Sequence, residues 1–159
     1  MMADELRTKA IRLLARRERS RSELRRLLDP GGEDATIVDR LLDELQSQGW
    51  LSDARLAEQL VNGRRSRLGA SRIRLELRRR GVCEEVVDDA TQGLEAGDFA
   101  VALALWRRRF GKVAGERTER ERQLRFLMAR GFGHAMALKV LCHAGDHATD
   151  DFRERNDDS

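Results

Sequence analysis

Apolar residues recur along this chain with the period of an α-helix, and no stretch of useful length alternates with period two. Leu6, Ala10, Leu13 and Leu14 form a first stripe on one helical face. Ser20 with Glu23 makes a capping-box pattern ahead of Leu24, Leu27 and Leu28, and Asp29-Pro-Gly-Gly stops that second helix. A third is predicted over about 34–48, with Ile37, Leu41 and Leu45 inward and Gly49 ending it. Ser52 and Asp53 open a fourth carrying Leu56, Leu60 and Val61. Ser71 is placed to cap a fifth, whose inner face is Ile73 and Leu77 and whose end is Gly81. A sixth carries Val86, Val87, Ala90 and Leu94. Asp98 is placed to cap a seventh with Phe99, Ala102, Leu103, Trp106 and Phe110 inward, ending at Gly111. The eighth, about 116–130, uses Leu124, Leu127 and Met128; the ninth, about 134–143, uses Ala137, Leu138 and Leu141.

These nine segments repeat. Leu77-Arg-Arg-Arg-Gly81-Val82 reappears as Leu127-Met-Ala-Arg-Gly131-Phe132, and Gly31, Gly81 and Gly131 stand 50 residues apart, each between the second and third helix of a triplet. A period of that length predicts an all-α fold of three tandem three-helix repeats, over 1–49, 50–95 and 96–145. Units so small bury little alone and lean on their neighbours, so an elongated, curved array is expected. A single compact helical bundle is the alternative. The acidic segment 146–159 lacks apolar periodicity and is expected to be disordered.

Composition agrees with small cores: 40% of residues are hydrophobic, 37% charged and only 4% aromatic. The single proline, Pro30, leaves most of the chain without an obligatory helix breaker. Cys83 and Cys142 belong to no CxxC pair and lie among apolar helical positions, where small core hydrophobes are expected, as suits a reducing cytosol. The amino terminus has no signal-peptide pattern, and the longest apolar run, Phe99 to Trp106, is too short to span a bilayer. A cytoplasmic protein, monomeric and away from membranes, is expected.

The charge is where chemistry enters. The net value of +3 hides an acidic carboxy-terminal segment and a correspondingly more basic remainder, and 28 of the 31 basic residues are arginine. Between Arg64 and Arg80 stand Arg64, Arg65, Arg67, Arg72, Arg74, Arg78, Arg79 and Arg80 against Glu76 alone. Arg74 and Arg78 are i, i+4 neighbours off the Ile73/Leu77 face, a repulsive pair in an isolated helix. Such a ridge suits an anionic partner, carboxylate or phosphate. It also suits a solvated face neutralised by acids nearby, such as Glu84, Glu85, Asp88 and Asp89. Arg107, Arg108 and Arg109 form a smaller cluster beside Trp106, which completes an apolar stripe and is expected in the core. Few exposed aromatics are expected for stacking single-stranded bases, so DNA binding would rest on phosphate contacts.

No enzyme is indicated. There is no P-loop, no Gly-rich dinucleotide turn and no nucleophile–His–Asp pattern. Cys142, His143 and His147 make an incomplete metal set, and no cofactor is expected.

Four stretches taken together resemble the regulatory protein RecX family. They are Gly49-Trp-Leu-Ser-Asp-Ala-Arg-Leu-Ala57, Leu68-Gly-Ala-Ser-Arg-Ile-Arg-Leu-Glu-Leu-Arg-Arg-Arg-Gly-Val82, Leu105-Trp-Arg-Arg-Arg-Phe-Gly111 and Arg125-Phe-Leu-Met-Ala-Arg-Gly-Phe132. The resemblance runs from about Glu5 to Leu141 and itself implies three tandem three-helix repeats. It further implies a non-catalytic regulator that binds the RecA filament, mainly inhibiting its ATPase, strand exchange and coprotease activities and so limiting recombination, DNA repair and the SOS response. On that footing Arg64, Arg65, Arg67, Arg72, Arg74, Arg78, Arg79, Arg107 and Arg108 are the candidate contacts to RecA, with single- or double-stranded DNA phosphate as a second partner. The rival class is a helical DNA-binding protein acting without RecA. This sequence departs from the family in the apolar Leu75, in Leu56 where an aromatic is frequent, and in the turn Asp29-Pro-Gly-Gly32.

Overall fold

The computed structural model describes the backbone of residues 2–154 and the side-chain surroundings of residues up to 147. The described residues form nine α-helices and one 3-10 turn, with no strand. The first repeat holds α1 (Met2–Arg16), α2 (Arg21–Leu28) and α3 (Ala35–Ser47). The second holds α4 (Asp53–Arg64), α5 (Ala70–Arg79) and α6 (Glu84–Thr91). The 3-10 turn Leu94–Gly97 leads into the third, with α7 (Asp98–Arg109), α8 (Arg117–Ala129) and α9 (His134–Glu154). Residues 146–154, expected to be unstructured, continue α9, while 155–159 lie outside the described residues.

The chain divides into two compact units, one of residues up to 63 with 74–91, the other of 64–73 with residues from 92 on. In the first, Ala10, Leu24, Leu28, Val38, Leu41, Leu42, Leu45 and Leu51 share a core. On α3 the buried line is Val38, Leu41, Leu42 and Leu45, not Ile37, which stays 37% exposed. The helical period fixes a face only to within one position, and the true face is rotated toward Val38. In the second unit Ala102, Leu103, Leu105, Trp106, Leu127, Phe132, Ala137, Val140 and Leu141 share a core. Trp106 is 2% exposed, as expected, whereas Met128 at 44% and Leu138 at 40% face outward. Both cysteines are exposed, contrary to the expectation of core thiols.

Helix starts are satisfied in two ways. Ser20 forms the full capping box, its hydroxyl accepting from the Glu23 N–H and the Glu23 carboxylate accepting from the Ser20 N–H. Ser52 likewise caps α4, accepting from the Arg55 N–H at 3.1 Å. The α5 start differs from its reading. Ser71 lies inside the helix and donates to the Gly131 carbonyl; Gly69 precedes the helix with no side chain to offer; and the Ala70 N–H donates to Asp98 Oδ1 at 3.2 Å. Asp98, itself the first residue of α7, therefore caps α5. Asp53 does the same one repeat earlier, accepting from the Arg21 N–H at the start of α2 at 2.8 Å. The first residue of each following repeat thus completes the second helix of the repeat before it.

Turns between second and third helices receive these helix starts. Ser20 Oγ donates to the Arg80 carbonyl, and the Gly69 N–H to the Arg130 carbonyl at 2.8 Å. Gly81 (φ 75°) and Gly131 (φ 88°) sit at the contacts, and a Cβ on Gly131 would lie 2.4 Å from Arg72 Cβ. In the first repeat the matching left-handed glycine is Gly32 (φ 76°), one residue after the Gly31 of the sequence register. There Asp29 holds the turn, its carboxylate accepting from the N–H groups of Gly32, Glu33 and Asp34.

Glycine at position 131 is doubly required, by backbone conformation and by Arg72. Gly93 has a similar φ of 76° but nothing within 4 Å of an added Cβ. Gly93→Ala is expected to cost about 1–2 kcal/mol, and Gly131→Ala roughly 3 kcal/mol or more because backbone must move as well. Urea unfolding of both variants checks this; equal losses would contradict it.

Candidate functional site

The arginines singled out by sequence fall into two groups. Arg65, Arg74 and Arg78 are engaged in holding the fold. Arg65 Nη1 reaches Asp98 Oδ1 at 2.6 Å while its Nη2 donates to the Leu94 carbonyl, so it braces the carboxylate that caps α5. Arg74 is half-buried, and its Nε donates to Thr91 Oγ1 at 3.0 Å. Arg78 forms a two-point pair with Glu84, at 2.6 and 2.8 Å. Its hydrogen bond and charge hold the Glu84 carboxyl below the usual carboxylate range. The supposed Arg74/Arg78 ridge is therefore largely answered from within the second repeat, and Glu84 is the neutralising acid.

The second group faces outward. Arg64, Arg67, Arg72, Arg79, Arg107 and Arg108 are all exposed. On α5, Arg72 and Arg79 are two turns apart on the face that also carries Leu75, itself 36% exposed. Arg107 and Arg108 occupy the last turn of α7, where cations oppose the helix dipole favourably. Arg109 lies 5.6 Å from the Phe110 ring.

Other arginines carry structure that sequence spacing did not show. Arg80 clasps Glu23 at two points, both 2.9 Å, and donates to the Glu18 carbonyl; Arg55 pairs with the Glu18 carboxylate. These ion pairs join residues 57 and 37 positions apart, beyond any local pattern. Arg19 keeps its Nε buried with no hydrogen-bond partner, and burial, then the neighbouring Arg17, lowers its guanidinium pKa. Trp50, 51% exposed, is an accessible aromatic that the sequence reading did not count. Trp106 by contrast donates its indole N–H to the buried Gln123 at 3.0 Å. His143 stacks edge-on against His147 and Phe99, and no cluster of three metal-ligating side chains occurs among the described residues. No helix among them is long and apolar enough to cross a membrane.

Three family models match in chain order: those for the RecX first, second and third three-helix domains, at residues 7–45, 52–90 and 96–141. A protein of Ralstonia nicotianae named Regulatory protein RecX is 40% identical over 136 residues, 86% of each chain. One of the same name from Leptothrix cholodnii is 41% identical over 145 residues, 91% of this chain and 92% of that one. The crystal structure of RecX from Lactobacillus salivarius has a TM-score of 0.74 at 17% identity, covering 91% of this chain and 97% of that one, a likeness of fold.

The Glu23 clasp sets a pH dependence. Burial alone would push the Glu23 carboxyl up, but the Arg80 guanidinium and the Ser20 N–H outweigh it and hold the group below its ordinary value. A depressed folded pKa contributes stability that is complete above the unfolded value of about 4.3 and is lost as pH falls through the folded one. Glu23→Gln is therefore expected to be less stable than the parent at neutral pH, with the gap closing below about pH 4. Thermal unfolding at pH 7 and pH 3 checks it; a gap that stays constant would contradict it.

Proposed function

The chain belongs to the regulatory protein RecX family, and from that membership we propose that it binds the filament of the RecA recombinase and regulates it, mainly as an inhibitor. The observation that carries the reading is the match of all three RecX three-helix domains, in order, over most of the chain. The activities affected are the ATPase, strand exchange and coprotease activities of the cytoplasmic RecA–DNA filament. The mechanism is contact, not catalysis: a series of three-helix repeats occupies the filament groove and blocks exchange of subunits and entry of a second DNA strand.

Within that reading the outward arginines, Arg64, Arg67, Arg72, Arg79, Arg107 and Arg108, are the contacts to acidic side chains or phosphate. Arg65, Arg74 and Arg78 contribute by keeping α5 in place. The distinction is testable. Arg72→Glu with Arg79→Glu is expected to weaken filament inhibition at unchanged melting temperature. Arg74→Glu with Arg78→Glu is expected to lower the melting temperature first, because it sets a carboxylate against Glu84 and removes the Arg74 bond to Thr91.

RecA ATPase on single-stranded DNA, titrated with this protein below one molecule per RecA subunit, tests the function itself. Inhibition at low ratios is expected. No effect of folded protein at any ratio would overturn the reading, and tight DNA binding without RecA would favour the DNA-binding alternative.

A further inference from the structure

The three repeats can be compared position by position, because each buries an alanine on its first helix and a small apolar residue on its third. Ala10, Ala57 and Ala102 are fully buried in α1, α4 and α7, and Val38, Val87 and Ala137 in α3, α6 and α9. Three residues before the buried alanines stand Arg7, Ala54 and Phe99. Two residues after the buried third-helix positions stand Arg40, Asp89 and Lys139.

In the third repeat these two positions answer each other. Lys139 Nζ lies 5.0 Å from the centre of the Phe99 ring, and His143 meets the same ring edge-on at 5.4 Å. In the first repeat Arg7 reaches α3, bonding Glu44 at 3.3 Å, and reaches Gln48 just beyond it at 2.7 Å. Only in the third repeat is the first-helix side chain covered by groups of the third helix; in the first, Arg7 lines an open groove of about 360 Å³ between α1 and α3 whose charges are mixed, Arg7 and Arg40 with Asp4 and Glu44. The second repeat lacks both halves of the third repeat's arrangement. Ala54 has only a methyl group to fill the space, and the cation found in the other repeats is replaced by a carboxylate, Asp89.

What remains is a groove of about 380 Å³ between α4 and α6. Its floor is Ala54, Val61, Val86 and Ala90, and its rim carries Glu58 and Asp89 with no basic residue in the lining. Ala54, Glu58 and Val61 follow one face of α4 for two turns, about 10 Å, the length of a short helical segment. The acidity extends along α6, which has Glu84, Glu85, Asp88 and Asp89 and no basic residue. A negative, apolar groove in a chain of net positive charge selects its occupant by charge.

We infer that the α4–α6 groove docks a segment of a partner protein that presents a large apolar or aromatic side chain beside a lysine or arginine. That segment supplies in trans what Phe99 and Lys139 supply in the third repeat: the ring over the position of Ala54, the cation beside Asp89 and Glu58. The inference needs a protein partner, as the preceding reading does, but does not need that partner to be RecA.

The test is an NMR titration of the full chain with a synthetic helical peptide carrying one tryptophan flanked by lysines a helical turn away. Amide shifts are expected at Ala54, Glu58, Val61, Val86, Asp89 and Ala90. A peptide with alanine in place of the tryptophan should bind about tenfold more weakly or worse, the worth of one buried ring. Ala54→Phe with Asp89→Lys rebuilds the pair of the third repeat; it should keep its melting temperature and lose the response. Asp89→Lys alone, which leaves Ala54 and the apolar floor unchanged, should lose the response through charge. Shifts scattered over acidic residues outside the groove, or equal binding by the alanine peptide, or an undiminished response from the folded double variant, would overturn the inference.

Discussion

A carboxylate lent by one repeat to the helix before it is the contact on which the rest of this fold depends. Asp98, 8% exposed, accepts from the Ala70 N–H at the start of α5 and is fixed by Arg65 at 2.6 Å. Because Gly69 offers no side chain at the α5 start, the cap has to come from α7. Gly69 is a glycine for a reason of its own: a Cβ there would lie 2.5 Å from the Gly131 carbonyl oxygen. The close approach of the α5 start to the α8–α9 turn thus creates the need for a long-range cap, and Asp98 meets it. Asp53 performs the parallel service for α2, where burial pushes its carboxyl up while the Arg21 N–H draws it down.

Such a joint explains which parts of the structure were legible in the sequence. Local features were: the capping box of Ser20 and Glu23, the left-handed Gly81 and Gly131, the buried stripe around Trp106, and the order of the helices. Features set across repeats were not. Asp98 looks like a cap for α7 because its partner is 28 residues away and periodicity carries no information about it. The same holds for Arg65 and Arg80, whose acids come from α7 and from α2, whereas Glu84, six residues after Arg78, is among the acids the sequence offers for that ridge. Small rotations also escaped, as with Val38 in place of Ile37, because two adjacent apolar residues satisfy the same helical period. Cys83 and Cys142 sit beside buried positions in sequence, but Cys83 lies in the turn ahead of α6 and Cys142 on the outer side of α9, hence their exposure.

The charge pattern gains meaning once the structural pairs are set aside. The basic run on α5 is part brace and part surface, with Arg72 and Arg79 left facing outward. The acidic run on α6 gives up Glu84 to Arg78 and keeps Asp89 at the rim of an apolar groove. One repeat design is therefore used three times with the same buried alanine and small apolar positions, while the residues three before and two after them differ from repeat to repeat. Variation of that kind lets a regulatory scaffold acquire contacts without disturbing the joints that hold its repeats in order.

The measurement that bears most directly on the joint is the unfolding free energy of Asp98→Ala. Losing the cap and leaving Arg65, with 21% of its side chain exposed, without its carboxylate should cost roughly 2–4 kcal/mol. Asp98→Asn, which keeps an oxygen for the Ala70 N–H but loses the charge facing Arg65, should fall between the two. A loss below about 0.5 kcal/mol for Asp98→Ala, the size of an ordinary surface substitution, would contradict the account.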